Sequence, residues 1–420
     1  MTSRRKFLSG IAQLGLYSTF TINLKNGIAT FQSPQDEKDI SWKKIKKCFP
    51  ISKNHILNLN NGSASVMPNS VSKKYNEAIV ELNNHAPYEV FAKWQKRIER
   101  TYQNLASEFD IQKGQLVLVR NTTEAVNMIL WGLPFEKKDE VIYADWDYPY
   151  MNYSLRHIRD QKSIKLKIIQ STLVQLNDEE IVNLYREKIT QNTKLIIITW
   201  ITHREGRILP VKKIRDLAKE HNIEVLIDGA HVPGHIAHSI DQIDPEYYAT
   251  SLHKWFNAPL GTGLLYLNQD VVKKISPPIS YAPNLKSDYV KYEYLGTRSF
   301  QDMIGVEEAL IFLNKTGIER KQTYLKSLSD YWIANVKDIK GFNLMTSTEY
   351  TCAINSFYIE GTNTKLMKEK LQKEFNVHTK TSAYERQNMN FIRISPNIYS
   401  DYKDLDRLID GIKQIVASNH

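Results

Sequence analysis

Only two cysteines, Cys48 and Cys352, occur in 420 residues. They lie far apart, with the spacing of neither a zinc site nor a C-x-x-C redox pair, so no cysteine metal centre is expected; a structural disulfide between them stays open. No apolar run reaches the ~18 residues a membrane-spanning helix needs, which argues against a stable span. Lysine plus arginine number 56 against 46 aspartate plus glutamate, for a formal charge of +10. These basic residues are scattered, and no run of them interleaves with aromatics as a nucleic-acid groove demands; the excess reads as solvated surface. Internal repeats and low-complexity tracts are missing too. What is there is a chain 42% hydrophobic and long enough for two domains of unequal size.

The N-terminus reads as an address rather than as part of a fold. "TSRRKFLSG" precedes the modestly apolar "IAQLGLYSTFTINL", a charged segment followed by an apolar one, as in an export signal. Ser3-Arg4-Arg5-Lys6-Phe7-Leu8 resembles the twin-arginine motif, whose pathway carries folded proteins across a membrane. A periplasmic or otherwise exported protein is therefore expected, with a cytoplasmic protein bearing a basic tail as the alternative.

From residue 116 short β-rich runs alternate with helical patterns: "LVLV", "VIYA", "IKLKIIQ", "LIIIT", "EVLID" and "GLLYL". Such alternation predicts an α/β domain with a mostly parallel sheet covered on both faces. Between "LIIIT" and "EVLID", Pro210 opens a helix whose Val211, Ile214, Leu217 and Ala218 share one face, which completes a βαβ crossover. After the proline-marked break "SPPISYAPN", helical patterns near 303–315, 322–338 and 364–374 combine with strands at 354–360 and 390–395. A last helix is capped by Ser400 or Asp401 and buries Leu405, Leu408, Ile409, Ile412 and Val416.

In open parallel sheets ligands collect beyond the carboxyl ends of the strands. "EVLIDGAH" delivers Asp228 to such an end, with His231 just beyond. "YYATSLHK" delivers Ser251, His253 and Lys254, and "LVLVRNTTEAVNMIL" places Asn121, Thr122 and Thr123 where a strand gives way to a helix. Taken singly these are a turn, a surface pair and an N-cap. Together they are an anion seat at a helix end, a carboxylate and a lysine, the parts that hold pyridoxal phosphate. A lysine with a depressed pKa can form an imine with the cofactor aldehyde, and a carboxylate at the pyridine nitrogen keeps the ring an electron sink.

"DGAH" followed by "SLHKWF", with "NTTEA" upstream, resembles the class V aminotransferase family of fold-type-I pyridoxal-phosphate enzymes, over roughly residues 55 to 415. That resemblance implies a large domain with a mostly parallel sheet, residues 61–285, and a smaller α+β C-terminal domain, residues 286–420. Residues 31–60 would then pack with the small domain, behind a signal at 1–30. It implies Lys254 as the Schiff-base lysine, Asp228 at the pyridine nitrogen and His231 near the phenolic oxygen. Thr122, Thr123, Ser251 and His253 match phosphate-binding positions, and Thr297 matches a residue reaching the phosphate from the other subunit, so a homodimer is implied. Tyr148 matches the stacking position; His203 falls where relatives often have asparagine. For an amino-acid substrate, Arg393 matches the residue that binds the α-carboxylate, a task suited to a bidentate guanidinium, and Asn61, Gly62 and Ser63 match a substrate-contacting segment.

"NNGSAS", "DYPY", "GRILPV" and "GTRSFQD" look most like the isopenicillin-N-epimerase-like branch. An aminotransferase or epimerase is expected first, and a carbon–sulfur or other β-lyase second. Cysteine desulfurases of the family need a cysteine on a loop shortly before the arginine; "VHTKTSAYERQNMNFIRIS" has none, so the sequence disfavours desulfuration. A non-catalytic ligand-binding relative is the alternative of another class, but it would leave Lys254 and Asp228 without a use.

Overall fold

The apolar run ending at Thr199 alternates between two cores. Ile196 and Ile198 pack into one cluster, Leu195 and Ile197 into another, as a strand covered on both faces requires. The computed structural model describes residues 41–420 apart from 52–55, 113, 175, 280–288, 294–295, 386–387 and 419–420. The expected export signal at residues 1–30 lies outside the described residues.

The strands are, in chain order, β1 (Leu57–Asn58), β2 (Leu116–Val119), β3 (Glu140–Ala144), β4 (Lys165–Ile169), β5 (Thr193–Thr199), β6 (Glu224–Asp228), β7 (Tyr247–Ser251), β8 (Gly263–Leu267), β9 (Phe342–Leu344), β10 (Asn355–Ile359), β11 (Val377–His378), β12 (Lys380–Tyr384) and β13 (Met389–Ile394). Seven form one sheet in the order β2-β8-β7-β6-β5-β3-β4. Only β8 runs against its neighbours, pairing antiparallel with both β2 and β7. The chain is thus α/β with a mostly parallel sheet, as expected. Strand β7 is the addition: its Thr250 and Ser251 interrupt the apolar pattern, although all five of its residues are buried.

The register brings the strand ends level. Thr199 is opposite Asp228, and Ser251 is opposite Gly263. Helix Thr122–Gly132 begins at this same edge, its N-cap Asn121 accepting from the Glu124 N–H at 2.9 Å. The crossover helix Val211–Glu220 buries Val211, Ile214, Leu217 and Ala218, the face read from the sequence.

A second sheet, β12-β13-β10-β9, carries Arg393, and β1 pairs in parallel with β11. The final helix Tyr402–Ala417 starts at Asp401 through a capping box with Asp404. Cys48 is exposed and Cys352 buried, both as free thiols. No helix among the described residues is long and apolar enough to cross a membrane.

Candidate active site

A cavity of about 260 Å³ opens at the carboxyl edge of the large sheet. Asp228, Lys254, His231, His203, Thr122, Thr123, Tyr148, Ser251, His253, Gly62, Ser63 and Arg393 all line it. Asp228 ends β6 and is buried; its Oδ1 accepts the Ala230 N–H at 2.9 Å. Burial raises its pKa, while that hydrogen bond and the Lys254 charge oppose the rise. Beside it, the Thr199 hydroxyl donates to Asp147 Oδ1 at 2.6 Å, and Asp147 Oδ2 accepts the Ala144 N–H at 2.8 Å. Burial pushes the Asp147 carboxyl up to about 7. Neither Thr199 nor Asp147 was given a role from the sequence, although Asp147 opens the "DYPY" segment, because their hydrogen bond joins residues 52 positions apart.

The opposite end of the cavity is built for an anion. The Thr122 N–H donates to Ser251 Oγ at 3.1 Å, and the two hydroxyls lie 2.8 Å apart. With Thr123, they gather hydroxyls and backbone N–H groups at the positive end of the helix. The close approach depends on Gly263: a Cβ there would lie 2.6 Å from the Thr250 carbonyl and 2.8 Å from Asn121 Cα. His253 is held by its Nδ1, 3.1 Å from the Thr262 carbonyl.

Between these ends Lys254 is half-buried, its Nζ 3.5 Å from His231 Nε2. Burial pushes its ammonium down to about 8; Asp228 pulls the other way, and Arg393 and Lys380 add to the fall. The next residue, Trp255, is fully buried and donates from its indole to His231 Nδ1 at 3.3 Å. Its ring also stacks on His235, with centroids 4.0 Å apart.

At the far wall Arg393 donates to the His203 carbonyl and to Asn60 Oδ1, both at 2.6 Å, and to Ser63 Oγ at 2.9 Å. Its Nε is buried without a hydrogen-bond partner among the described residues. Gly62 leaves room for this group, since a Cβ there would sit 3.1 Å from the guanidinium carbon. The His203 ring meets Tyr148 edge-on at 5.3 Å. Burial, then the Arg204 charge, holds His203 well below the usual imidazole range.

Asn61 and Thr297, the second of which is expected at the other subunit's phosphate, do not line this cavity. Asn61 is absent from the cavity wall; its amide donates to the Asn58 and Ser395 carbonyls at 2.9 and 2.8 Å and so fastens the segment, while the neighbouring Asn60 meets Arg393. Thr297 lies outside the cavity, 2.6 Å from the Tyr88 hydroxyl, on the wall of a second cavity with Arg120 and Arg298. Lys380 lines the main cavity unannounced by the sequence.

The aminotransferase class-V family matches residues 56–408. The chain belongs to that family. It is similar to the hercynylcysteine sulfoxide lyase of Schizosaccharomyces pombe, 26% identical over 297 residues, with 68% of this chain and 75% of the relative covered. It is also similar to the isopenicillin N epimerase of Streptomyces clavuligerus, at 24% identity covering 86% and 95%. A cysteine desulfurase of Wigglesworthia glossinidia brevipalpis is 25% identical, covering 89% and 97%. Among solved structures, the Escherichia coli cysteine desulfurase CsdA superposes with a TM-score of 0.80 at 18% identity, covering 90% and 99%. The cystine C–S lyase C-DES, in complex with cysteine persulfide, gives 0.78 at 20% identity, covering 86% and 98%.

These findings correct one expectation. The absence of a cysteine shortly before Arg393 was read as setting the chain apart from cysteine desulfurases, yet such enzymes are among both its relatives and its structural neighbours. The physical reason is that family and fold rest on the whole chain, over residues 56–408, so a cysteine missing from one loop does not separate the chain from those enzymes.

The cofactor is pyridoxal 5′-phosphate. The residues fit it: Asp228 offers a buried carboxylate for the pyridine N–H, Lys254 an amine of depressed pKa for the aldehyde, and Thr122, Thr123, Ser251 and His253 an anion seat.

Proposed function

We propose that the protein is an aminotransferase acting on an α-amino acid, with Lys254 moving the α-proton and Arg393 holding the α-carboxylate. One observation supports this reading: a half-buried lysine of depressed pKa and a buried arginine share the wall of a single cavity with Asp228. Bound pyridoxal phosphate supplies the electron sink that acidifies the α-hydrogen. Asp228 holds the pyridine proton, and Arg393 fixes the substrate so that its α-hydrogen meets the Lys254 amine. Aminotransfer asks for a single base that takes and returns a proton on one face, which Lys254 supplies alone. Epimerisation needs a second donor across the substrate.

Carbon–sulfur β-elimination is a second reading, supported by the lyases among the relatives and structural neighbours. The test is to incubate the holoenzyme with L- and D-amino acids, L-cysteine included, and to follow keto acid, enantiomer ratio, sulfide and alanine together. Keto acid formed stoichiometrically with aminated cofactor supports aminotransfer. Sulfide or another β-leaving group released with equimolar keto acid and ammonia, and without aminated cofactor or alanine, supports the second reading, and a D-enantiomer without either supports epimerisation. Holoenzyme inert to every amino acid would return the chain to a ligand-binding role.

We also infer a homodimer in which Thr297 reaches the partner's anion seat, because it lies on an exposed turn away from its own. Light scattering that gives a monomer mass for active holoenzyme would remove that inference.

A further inference from the structure

Arg393 accounts for one carboxylate, but the cavity has more positive charge than one carboxylate uses. Its charged lining residues are Lys254, Lys380 and Arg393 against Asp228 alone. Lys254 is committed to the cofactor, and the phosphate has its own seat at Thr122 and Ser251. Lys380 is left over.

Its position is set by the small sheet. Strands β12 and β13 are antiparallel, and Lys380 stands directly opposite Arg393. Such partners project from the same face with their Cβ atoms roughly 5 Å apart, and like charges placed so are destabilising. Lys380 is half-buried, and no carboxylate among the described residues pairs with it. Its charge is felt across the cavity, at Lys254 and at His203. A sheet that holds two cations face to face over a cavity, with no anion of its own between them, is arranged for an anion that arrives with the ligand.

We propose that Lys380 is a second anion anchor in the substrate pocket and that the substrate is an amino acid with an acidic side chain. This rests on the reading of Arg393 as the α-carboxylate site. Arg393 takes the α-carboxylate through its guanidinium, and Lys380 takes the side-chain carboxylate or sulfinate as a flexible point charge. Lys380 thereby determines specificity without touching the transferred proton.

The experiment compares wild type, Lys380→Met and Lys380→Arg as holoenzymes, with L-aspartate, L-glutamate and L-cysteinesulfinate against L-alanine. Because the Lys380 charge also lowers the Lys254 pKa, each protein is assayed at its own pH optimum; there the KM of Lys380→Met for the preferred acidic amino acid is expected to rise about tenfold or more relative to its KM for L-alanine, as loss of a charged hydrogen bond implies. Lys380→Arg should restore most of the affinity. A spectral titration of bound cofactor with maleate and with acetate reads the same anchor without turnover: maleate should bind more tightly to wild type, and that advantage should vanish in Lys380→Met. Equal losses for alanine and acidic substrates, or a maleate advantage that survives in Lys380→Met, would overturn the proposal. If no amino acid turns over, the aminotransferase reading fails, and the maleate titration still decides the anchor.

Discussion

Trp255 Nε1 lies 3.3 Å from His231 Nδ1, and this contact determines which His231 nitrogen faces Lys254. The indole can only donate, so Nδ1 must accept, and the imidazole proton sits on Nε2, 3.5 Å from Lys254 Nζ. Burial, then the Lys254 charge, holds His231 well below the usual imidazole range, so the ring stays neutral. A neutral Nε2–H beside the amine favours the unprotonated lysine.

Replacing Trp255 by phenylalanine removes that donor and leaves His231 free to change tautomer. Turnover should fall about tenfold or less, the worth of one ordinary hydrogen bond, while bound cofactor stays stoichiometric by absorbance. The lower limb of the kcat–pH profile should move upward as the lysine becomes easier to protonate. An unshifted limb would refute the tautomer argument.

Asp228→Asn keeps an acceptor for the Ala230 N–H but removes the charge facing the pyridine nitrogen. Cofactor should remain bound, with kcat down on the order of 100-fold or more, the scale of lost electrostatic stabilisation in a buried site. Unchanged kcat would exclude Asp228 from the assigned role.

Lys321 places an amine in the core just behind the site, where it donates to the Trp255 carbonyl and, at 3.0 Å, to Asn257 Oδ1. Burial pushes its pKa from 10.5 down to about 7. Between those values the unfolded chain holds a proton that the folded chain has released, so Lys321 makes stability rise with pH across that window. Lys321→Met strands two acceptors and should cost about 1–3 kcal/mol for each. In urea unfolding, the deficit relative to wild type should be larger near pH ~9.5 than near pH ~7; a deficit that shrinks with pH would contradict the assignment.

Gly263→Ala sets a Cβ against the backbone of Thr250 and Asn121, neither of which can swing aside. Overpacking of this kind costs about 1–3 kcal/mol. Because Asn121 caps the helix at the anion seat, the variant should also lose affinity for pyridoxal phosphate in equilibrium dialysis. Stability lost with affinity intact would disconnect Gly263 from the seat.

Local pattern revealed much of this architecture. Six strands of the large sheet, the crossover helix and the capped final helix follow from periodicity, and Asp228, Lys254 and the Thr122 helix end follow from their places at strand ends. What escaped depends on distance in the chain. Strand β7 hides because Thr250 and Ser251 break its apolar run, and the reversal of β8 leaves no mark in composition. Asn60 and Asp147 lie within the "NNGSAS" and "DYPY" segments, but their contacts to Arg393 and Thr199 are tertiary; Lys380 enters because β12 and β13 align it with Arg393. Asn61 belongs to a segment expected to bring its backbone close to the substrate, and its side chain is claimed by the Ser395 carbonyl and the Tyr399 hydroxyl.

Three lysines of depressed pKa compete for the central role: Lys254 and Lys380 in the cavity and Lys321 behind it. Borohydride reduction of holoenzyme followed by peptide mass mapping separates them. A pyridoxyl label on Lys254 alone, absent from Lys254→Ala, is the predicted result. A label on Lys380 or Lys321, or no label on protein that has bound cofactor, would contradict the account.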